Sequence, residues 1–422
     1  MMHRRVAVTG LGVVSPYGGD LNDFFDRLVN GESAVAHLQT QDVPRPLSMP
    51  FVRCTGFDAD AVLGKPLASM MERFSHLGLA AAFDAWADAG LERQVNNPDT
   101  RENWGCVWGT ALGGILAFER GYKDMWLNGR ERLSPLAVVM GMNNAVNAHV
   151  SMQLGLGGVS SSHTAACASS AIAIGEAFRR IQAGDADVIV TGGSDASQTY
   201  GVARAWEAMR LIAPGEGDAA AQACRPFASD RRGLVLGEGA AALVLEDWDH
   251  AQARGARIHA EMVGYGASCD HSHLVRPDAR GQIRAMRSAL MQGALAPEDI
   301  DYVNAHGTAT LEGDPVEIRA LREVFGEHAP RLPVSATKSM HGHLLGAAGA
   351  IEALTTVMSL VRQALPPTAH LAGRIDPACE GVDHLLEGRR DVPVRAALSN
   401  SFAFGGSNAV LAFRATNLTR SI

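Results

Sequence analysis

Short apolar runs recur along the chain, and several of them end in glycine or serine. In the first half they are RRVAVTG (4–10), GCVWGTA (105–111), DVIVTGGS (187–194) and AALVLED (241–247). In the second they are RIHAEMVGYG (257–266), IDYVNAHG (300–307), LPVSATK (332–338), VRAALSNSF (394–402) and AVLAFRA (409–415). Each predicts a strand, and the alanine-rich stretches between them predict helices of ten or more residues. That alternation builds βαβ units and largely parallel sheets. The pattern also repeats: each half has a strand, a sharp turn and a helix of very small residues, at 167–183 and at 346–362. APGEGDAAAQACRP (213–226) and SCDHSHLVRPDARG (268–281) predict long surface loops, which in a compact enzyme usually serve function.

Length and composition sharpen this outline. A chain of 422 residues exceeds what one core usually organises, so two domains or two fused half-domains are expected. With 47% hydrophobic residues a large core can be buried, and the 45 glycines suit tight strand–helix turns. A net charge of −8 argues against nucleic acid, which needs a basic face. The most apolar window, GHLLGAAGAIEALTTVMSLV (342–361), carries Glu352 in its middle. A central acid costs roughly 2.5–3.5 kcal/mol in a bilayer, so a buried helix is expected and no membrane insertion. The six cysteines (Cys54, Cys106, Cys167, Cys224, Cys269, Cys379) form no CxxC pair, which suggests reduced thiols in a cytoplasmic protein. The N-terminal MMHRRVAVTG enters a strand-like run without the look of a signal peptide.

TAACASSAIAIG (164–175) places Cys167 among alanines and serines at a helix start, with Gly184 as the natural stop. There the helix dipole and unpaired N–H groups favour thiolate and should lower the thiol pKa. Three further segments carry chemistry-bearing residues. NAHGTATLEGD (304–314) puts His306 at a strand end, followed by Thr308 and Thr310. KSMHGHLLGAAGAIEA (338–353) puts Lys338 and His343 before the helix that holds Glu352, and NSFAFGGSN (400–408) is a glycine turn after a strand. GHLLGAAG only mimics a dinucleotide loop, lacking the following acid. The HxH pairs at 341–343 and 271–273 lack a third ligand at matching spacing, so no metal is expected.

In this order the four segments, with RPFASDRRGLVLGEGA (225–240), closely resemble the β-ketoacyl-acyl-carrier-protein synthases of the elongating type, and the resemblance runs from VAVTGLGVVSP to NSFAFGGSN. Spacing alone would suggest only a Cys/His acyl-transfer enzyme. The resemblance implies a thiolase-like α/β fold of two pseudo-duplicated halves in five α-β-α-β-α layers. One half, 1–255, would hold the nucleophile, and the other, 256–422, the histidine pair. It implies that Cys167 accepts the acyl chain while His306 and His343 bind the malonyl thioester and promote loss of carbon dioxide. Lys338 would stand behind the pair and Glu352 would balance it. Thr308 and Thr310 would hold the pantetheine arm. Phe404 would gate the acyl pocket and share an oxyanion hole with the N–H of Cys167. Leu112, Ala137 and Phe402 would line the substrate site. No cofactor is implied, because the phosphopantetheine arm arrives on acyl carrier protein. A homodimer, or a heterodimer with a related subunit, is implied as well.

Neighbouring enzyme types differ at single positions. Initiating synthases use Cys–His–Asn, whereas position 343 is His; degradative thiolases place a second Cys in the late glycine motif, and none occurs in 338–353. Chain-length factors lack the nucleophile. The chain also departs from the housekeeping pattern. KPLASMMER (65–73) holds only Lys65 and Arg73 where several basic residues usually precede the helix; SPLAVVMG (134–141) has Leu136 and Ala137 in place of a bulky aromatic; and Ala403 precedes the gate in place of glycine. A specialised polyketide, polyene or unusual-lipid synthase is therefore the alternative to fatty-acid elongation.

Overall fold

In a computed structural model, which describes residues 3–40, 43, 45–93 and 98–416, one buried strand joins the two halves of the chain. Strand β1 (Val6–Val14) is buried at every position. The first half's other strands in the same sheet are β2 (Gly105–Gly109), β3 (Ser160–His163), β4 (Val188–Asp195) and β5 (Gly239–Asp247). The second half supplies β6 (Ala260–Cys269), β7 (Tyr302–Asn304), β8 (Pro333–Ser335), β9 (Ala396–Phe402) and β10 (Ser407–Arg414). They lie side by side in the order β8-β7-β9-β10-β6-β1-β5-β4-β2-β3, with the short strand Asp383–His384 beside β8.

The two halves of this sheet repeat each other. Numbered within its own half, each reads 3-2-4-5-1 across the sheet. In both, the first, fifth and fourth strands pair antiparallel, and the fourth, second and third pair parallel. Within the sheet, three residue pairs, Val6–Val8 of β1 against Ala260–Met262 of β6, join one half to the other.

The main helices complete five layers: α1 (Arg73–Asp88), α2 (Ile115–Asn128), α3 (Ser169–Ala183), α4 (Tyr200–Ala208), α5 (Ala279–Gln292), α6 (Gly313–Phe325) and α7 (Ala348–Arg362). Helix α1 covers the outer face of β1, β5 and β4, while α5 covers β6 and β10, with α6 against α5. Helices α3 and α7 pack on each other, and each touches strands of both halves. They form the middle layer. The thiolase-like fold inferred from the motifs is therefore the fold observed.

Small residues make that middle layer possible. A Cβ on Gly109 would sit 2.4 Å from the Cα of Ser170, and one on Gly349 would sit 2.8 Å from the Cβ of Ala171. Around these contacts Ile174, Phe178, Ile351, Leu354 and Val357 are buried in one core, each contributing roughly 1.5–3 kcal/mol by leaving water. Helix α3 ends at Gly184, whose φ of 84° places it in the left-handed region. The stretch Leu345–Arg362 is long and apolar enough to cross a membrane, yet 89% of it is buried inside the protein. It is the core helix that Glu352 suggested.

Apolar periodicity located nine of the eleven strands of this sheet and missed the short strand Asp383–His384 and β3. Its residues are Ser160, Ser161, Ser162 and His163, so no hydrophobic signal marks it. Backbone pairing with β2 makes it a strand.

Candidate active site

The third strand of each half, and the second and fourth of the later one, end at one place. After β3 the chain turns sharply: Ala166 holds a φ of 47°, which costs a non-glycine residue conformational energy, and Cys167 follows just ahead of α3. Strand β7 leads into His306, β8 into the helical turn Lys338–His341 and then His343, and β9 into Phe402 and Phe404. Strands β7, β8 and β9 run parallel and deliver their residues to one end of their half of the sheet, where the turn after β3 brings Cys167 from the other half.

Cys167, His306 and His343 converge there. His343 Nε2 lies 3.0 Å from the sulfur of Cys167, and the two imidazole rings stand edge to face with centroids 5.5 Å apart. All three line a cavity of about 470 Å³, together with Thr308, Thr310, Phe402 and Phe404. The hydroxyls of Thr308 and Thr310 are 3.0 Å apart. Lys338 and Glu352 do not line the cavity. Both are fully buried behind it, joined by a short ion pair. Neither Leu112 nor Ala137 lines it: Leu112 is 36% exposed, and Ala137 is buried in the turn 137–141.

Burial dominates the electrostatics. Desolvation holds His306 and His343 well below the ordinary imidazole range, with the Lys338 ammonium adding to the effect, so both rings are neutral at pH 7. Lys338 Nζ donates to the carbonyl oxygen of His306 at 2.6 Å and approaches its Nδ1 at 3.3 Å. An ammonium has only donors, so Nδ1 is the accepting nitrogen and Nε2 carries the ring proton.

The thiol differs from the sequence-based expectation. Burial pushes Cys167 up to about 11, against opposing contributions from Lys338 and from the N–H groups of Phe404 and Cys167 itself. The expected lowering by the helix terminus is outweighed because Cys167 is buried, with 6% of the residue exposed. The two N–H groups that aim at the sulfur are nevertheless those an oxyanion hole needs.

Several residues that support this site escaped the sequence reading. Glu317, buried on α6, accepts the N–H groups of His306 and Gly307 at 2.9 and 2.8 Å and so fixes the backbone that carries His306. Arg231, within RPFASDRRG, donates to the carbonyls of Thr310 and Leu311. Asp195 Oδ2 accepts the N–H of Ala111 from one half and of Gly346 from the other, at 2.8 and 2.9 Å. Asp270 ties the loop after β6 to the glycine turn: its N–H donates to Gly406, and its carboxylate accepts Asn408 and Asp278. Trp206 of α4 stacks on Phe404, with centroids 5.9 Å apart. Buried acids near glycine motifs were the available signal, but nothing in the sequence says which backbone they meet.

His341, the other half of the 341–343 HxH pair, is locked between Thr337 and the carbonyl of Gly342. It takes no part in the cavity. A different trio could hold a metal: the ligand atoms of Cys167, His306 and His343 all lie within 4.8 Å of one another. Sequence spacing could not reveal this third ligand, because the three residues come from both halves.

Known proteins match the whole of this arrangement. The descriptions "Beta-ketoacyl synthase, N-terminal domain" and "Beta-ketoacyl synthase, C-terminal domain" match residues 3–251 and 259–372. Nodulation protein E of Rhizobium sp. (strain N33) is 42% identical over 413 residues, covering 98% of this chain and 100% of the relative. The 3-oxoacyl-[acyl-carrier-protein] synthase 2 of Staphylococcus aureus (strain COL) is 38% identical over 415 residues, covering 98% of each. The solved ishigamide ketosynthase/chain length factor superimposes with a TM-score of 0.88 at 30% identity, covering 98% of this chain and 100% of that one.

The elevated thiol pKa has a direct consequence. Only thiolate alkylates, so the rate at which iodoacetamide modifies Cys167 should climb about tenfold per pH unit from pH 7 to pH 10, with no plateau near pH 8. In Lys338→Met/Glu352→Gln, where the lowering ammonium is gone, alkylation at any one pH should be slower. A rate that levels off above pH 8 would contradict the burial argument. Mass-resolved labelling of Cys167 measures it.

Proposed function

The chain belongs to the β-ketoacyl synthase family, and we propose that Cys167, His306 and His343 carry its decarboxylative condensation. As an acyltransferase of the 3-oxoacyl-[acyl-carrier-protein] synthase type, it joins an acyl chain to a malonyl unit borne on acyl carrier protein. The observation that carries the assignment is the 3.0 Å approach of His343 Nε2 to the Cys167 sulfur inside the cavity that His306 shares.

Three steps follow from these positions. The Cys167 sulfur attacks the acyl thioester, its proton leaves with the departing pantetheine sulfur, and the chain becomes a thioester of Cys167. Acylation removes the thiol's proton and occupies its sulfur, which frees His343 Nε2 to turn to a second oxygen. Malonyl thioester then binds with its carbonyl oxygen at the two imidazoles. As the bond to the carboxylate breaks, carbon dioxide leaves and its electron pair becomes an enolate whose oxygen accepts from Nε2–H of both histidines. Two neutral donors suit a charge that appears only during reaction. The enolate carbon attacks the acyl-Cys167 carbonyl, and the oxyanion accepts from the N–H of Cys167 and Phe404. Collapse expels the Cys167 thiolate and leaves a β-ketoacyl chain on the carrier. Lys338 keeps the proton of His306 on Nε2, and Glu352 neutralises Lys338. The chemistry calls for no redox or organic cofactor, since the pantetheine arm comes with the carrier.

We read the chain as two working halves, 1–255 with the nucleophile and 256–422 with the histidines. The repeated strand order on either side of the β5–β6 connection supports this reading. Six unpaired cysteines fit a reducing cytoplasm. The second reading, a specialised pathway such as polyene assembly, draws on Ala137, which offers no aromatic wall, and on the likeness to the ishigamide ketosynthase. The two readings separate in one experiment, the intact-protein mass after exposure to carrier proteins bearing different chains. The mass added at Cys167 names the chain.

The carrier's approach is readable from charge. Arg210, Arg232 and Arg276 are exposed on the rim of the cavity and pair with no acid among the described residues; Glu312 shares the rim. They offer an anchor for the pantetheine phosphate and an acidic carrier, replacing the basic residues absent from 65–73. Self-association has its own surface. Strand β3 is an open sheet edge, and beside it α2 and the 136–142 segment expose Trp126, Leu127, Leu136, Val138, Val139 and Met142. An exposed edge beside an apolar face favours a two-fold partner that continues the sheet.

Four measurements test this. Cys167→Ala should form no acyl adduct while still decarboxylating malonyl thioester. His343→Ala should still self-acylate but lose condensation; equal loss of both steps would make it a base for Cys167 instead. Arg232→Glu/Arg276→Glu should raise KM for carrier-borne substrates by about tenfold or more and leave KM for free pantetheine thioesters unchanged. Light scattering of the chain alone should give twice the chain mass. A monomer that dimerises only with a related subunit would replace the homodimer with a heterodimer.

A further inference from the structure

The condensation described above uses Cys167, His306 and His343 as donors and nucleophile, but the same three atoms form a ligand set of another kind. A cysteine sulfur and two imidazole nitrogens are the donors that zinc-class cations prefer, with bond lengths of about 2.3 Å to sulfur and about 2.0–2.1 Å to nitrogen. Tetrahedral bonds of those lengths place ligand atoms roughly 3.3–3.6 Å apart. The trio lies within 4.8 Å in every pairing, with His343 Nε2 and the Cys167 sulfur 3.0 Å apart, so small side-chain adjustments suffice. The cavity they line leaves the fourth position to water or a ligand. That is the arrangement of an open three-ligand site.

We propose that Cys167, His306 and His343 form a reversible inhibitory site for a zinc-class divalent cation, and that Lys338 is the residue that keeps the cation weakly held. Binding exchanges the Cys167 S–H bond for a sulfur–metal bond and releases one proton to solvent; nothing is oxidised or reduced. Lys338 opposes it in two ways. Its ammonium is 3.3 Å from His306 Nδ1, so it repels a dication held on the same ring. It also keeps the ring proton on Nε2, the nitrogen that would have to bind. The metal and the acyl chain compete for one sulfur, so occupancy and acylation exclude each other. Inhibition rests on the condensing role of Cys167, whereas binding does not.

The test uses Co2+ as a spectroscopic probe of the intact protein and Zn2+ for activity. Co2+ should give tetrahedral d–d absorption with a sulfur-to-metal charge-transfer band that Cys167→Ser lacks. His306→Ala and His343→Ala should each weaken binding by about tenfold or more. Lys338→Met/Glu352→Gln, which leaves no unpaired buried charge, should tighten it by about tenfold or more. Zn2+ should inhibit acylation of the wild-type chain, and EDTA should restore it completely. The proposal is overturned if no Cys167-dependent band appears, or if Co2+ affinity is the same in the wild type and the two histidine variants. Unchanged affinity in the Lys338 variant removes Lys338 from it. Thermal melts identify any variant that fails to fold, and His306→Asn, close in volume, then replaces His306→Ala. A protein that binds Co2+ as described but never acylates would retain the site and refute the condensing role instead.

Discussion

The close packing of two small-residue helices governs the rest of this molecule. Helices α3 and α7 lie between the two halves of the sheet; a side chain at Gly349 would push α7 off Ala171 of α3, and one at Gly109 would push Ser170 of α3 off β2. The distance is held by polar contacts as well as by volume. The Ala350 N–H donates to the hydroxyl of Ser170 at 2.8 Å, and Asp195 collects N–H groups from both halves. Cys167 rides at the start of one helix and His343 ahead of the other. Their 3.0 Å contact is therefore set by how closely the helices approach. Close-packed interiors transmit such volume changes, because nothing nearby can give way cheaply.

Burial then decides the chemistry. In water a histidine pair would be partly protonated and a thiol at a helix start would be acidic. Here desolvation keeps both imidazoles neutral and lifts the thiol, and one cation, Lys338, acts against the rise at sulfur. The cost of burying Lys338 is met by Glu352, which burial lifts to about 7 despite the ammonium beside it. The ion pair is less a source of stability than a means of holding a charge where water would otherwise be needed. It sets which nitrogen of His306 carries the proton and limits how firmly a metal can be held.

Most of the fold was legible because its cause is local. Valine-rich runs ending at glycine, and two alanine-rich helices in matching places, follow from backbone sterics and side-chain size, and both appear in the structure close to their expected ends. Strand β3 was not legible, since four polar residues carry no apolar period and only the neighbouring β2 makes them a strand. At the site, the chemistry-bearing residues of four ordered motifs were legible as a family resemblance, and the family's two domains match residues 3–251 and 259–372. Glu317, Arg231, Asp195 and Asp270 were not, because each acts on a backbone group distant in sequence or in another motif.

The sequence by itself determined the kind of molecule: a duplicated α/β chain of the condensing-enzyme type, with a cysteine at a helix start and histidines at strand ends. Those features depend on residue type and near neighbours. Tertiary structure decided the quantities that depend on distance and solvent. It raised the thiol instead of lowering it, brought Cys167, His306 and His343 within 4.8 Å, and left Leu112 and Ala137 out of the cavity that these three line. Desolvation and through-space approach are properties of the packed interior, and the order of residues along a chain does not encode them one position at a time.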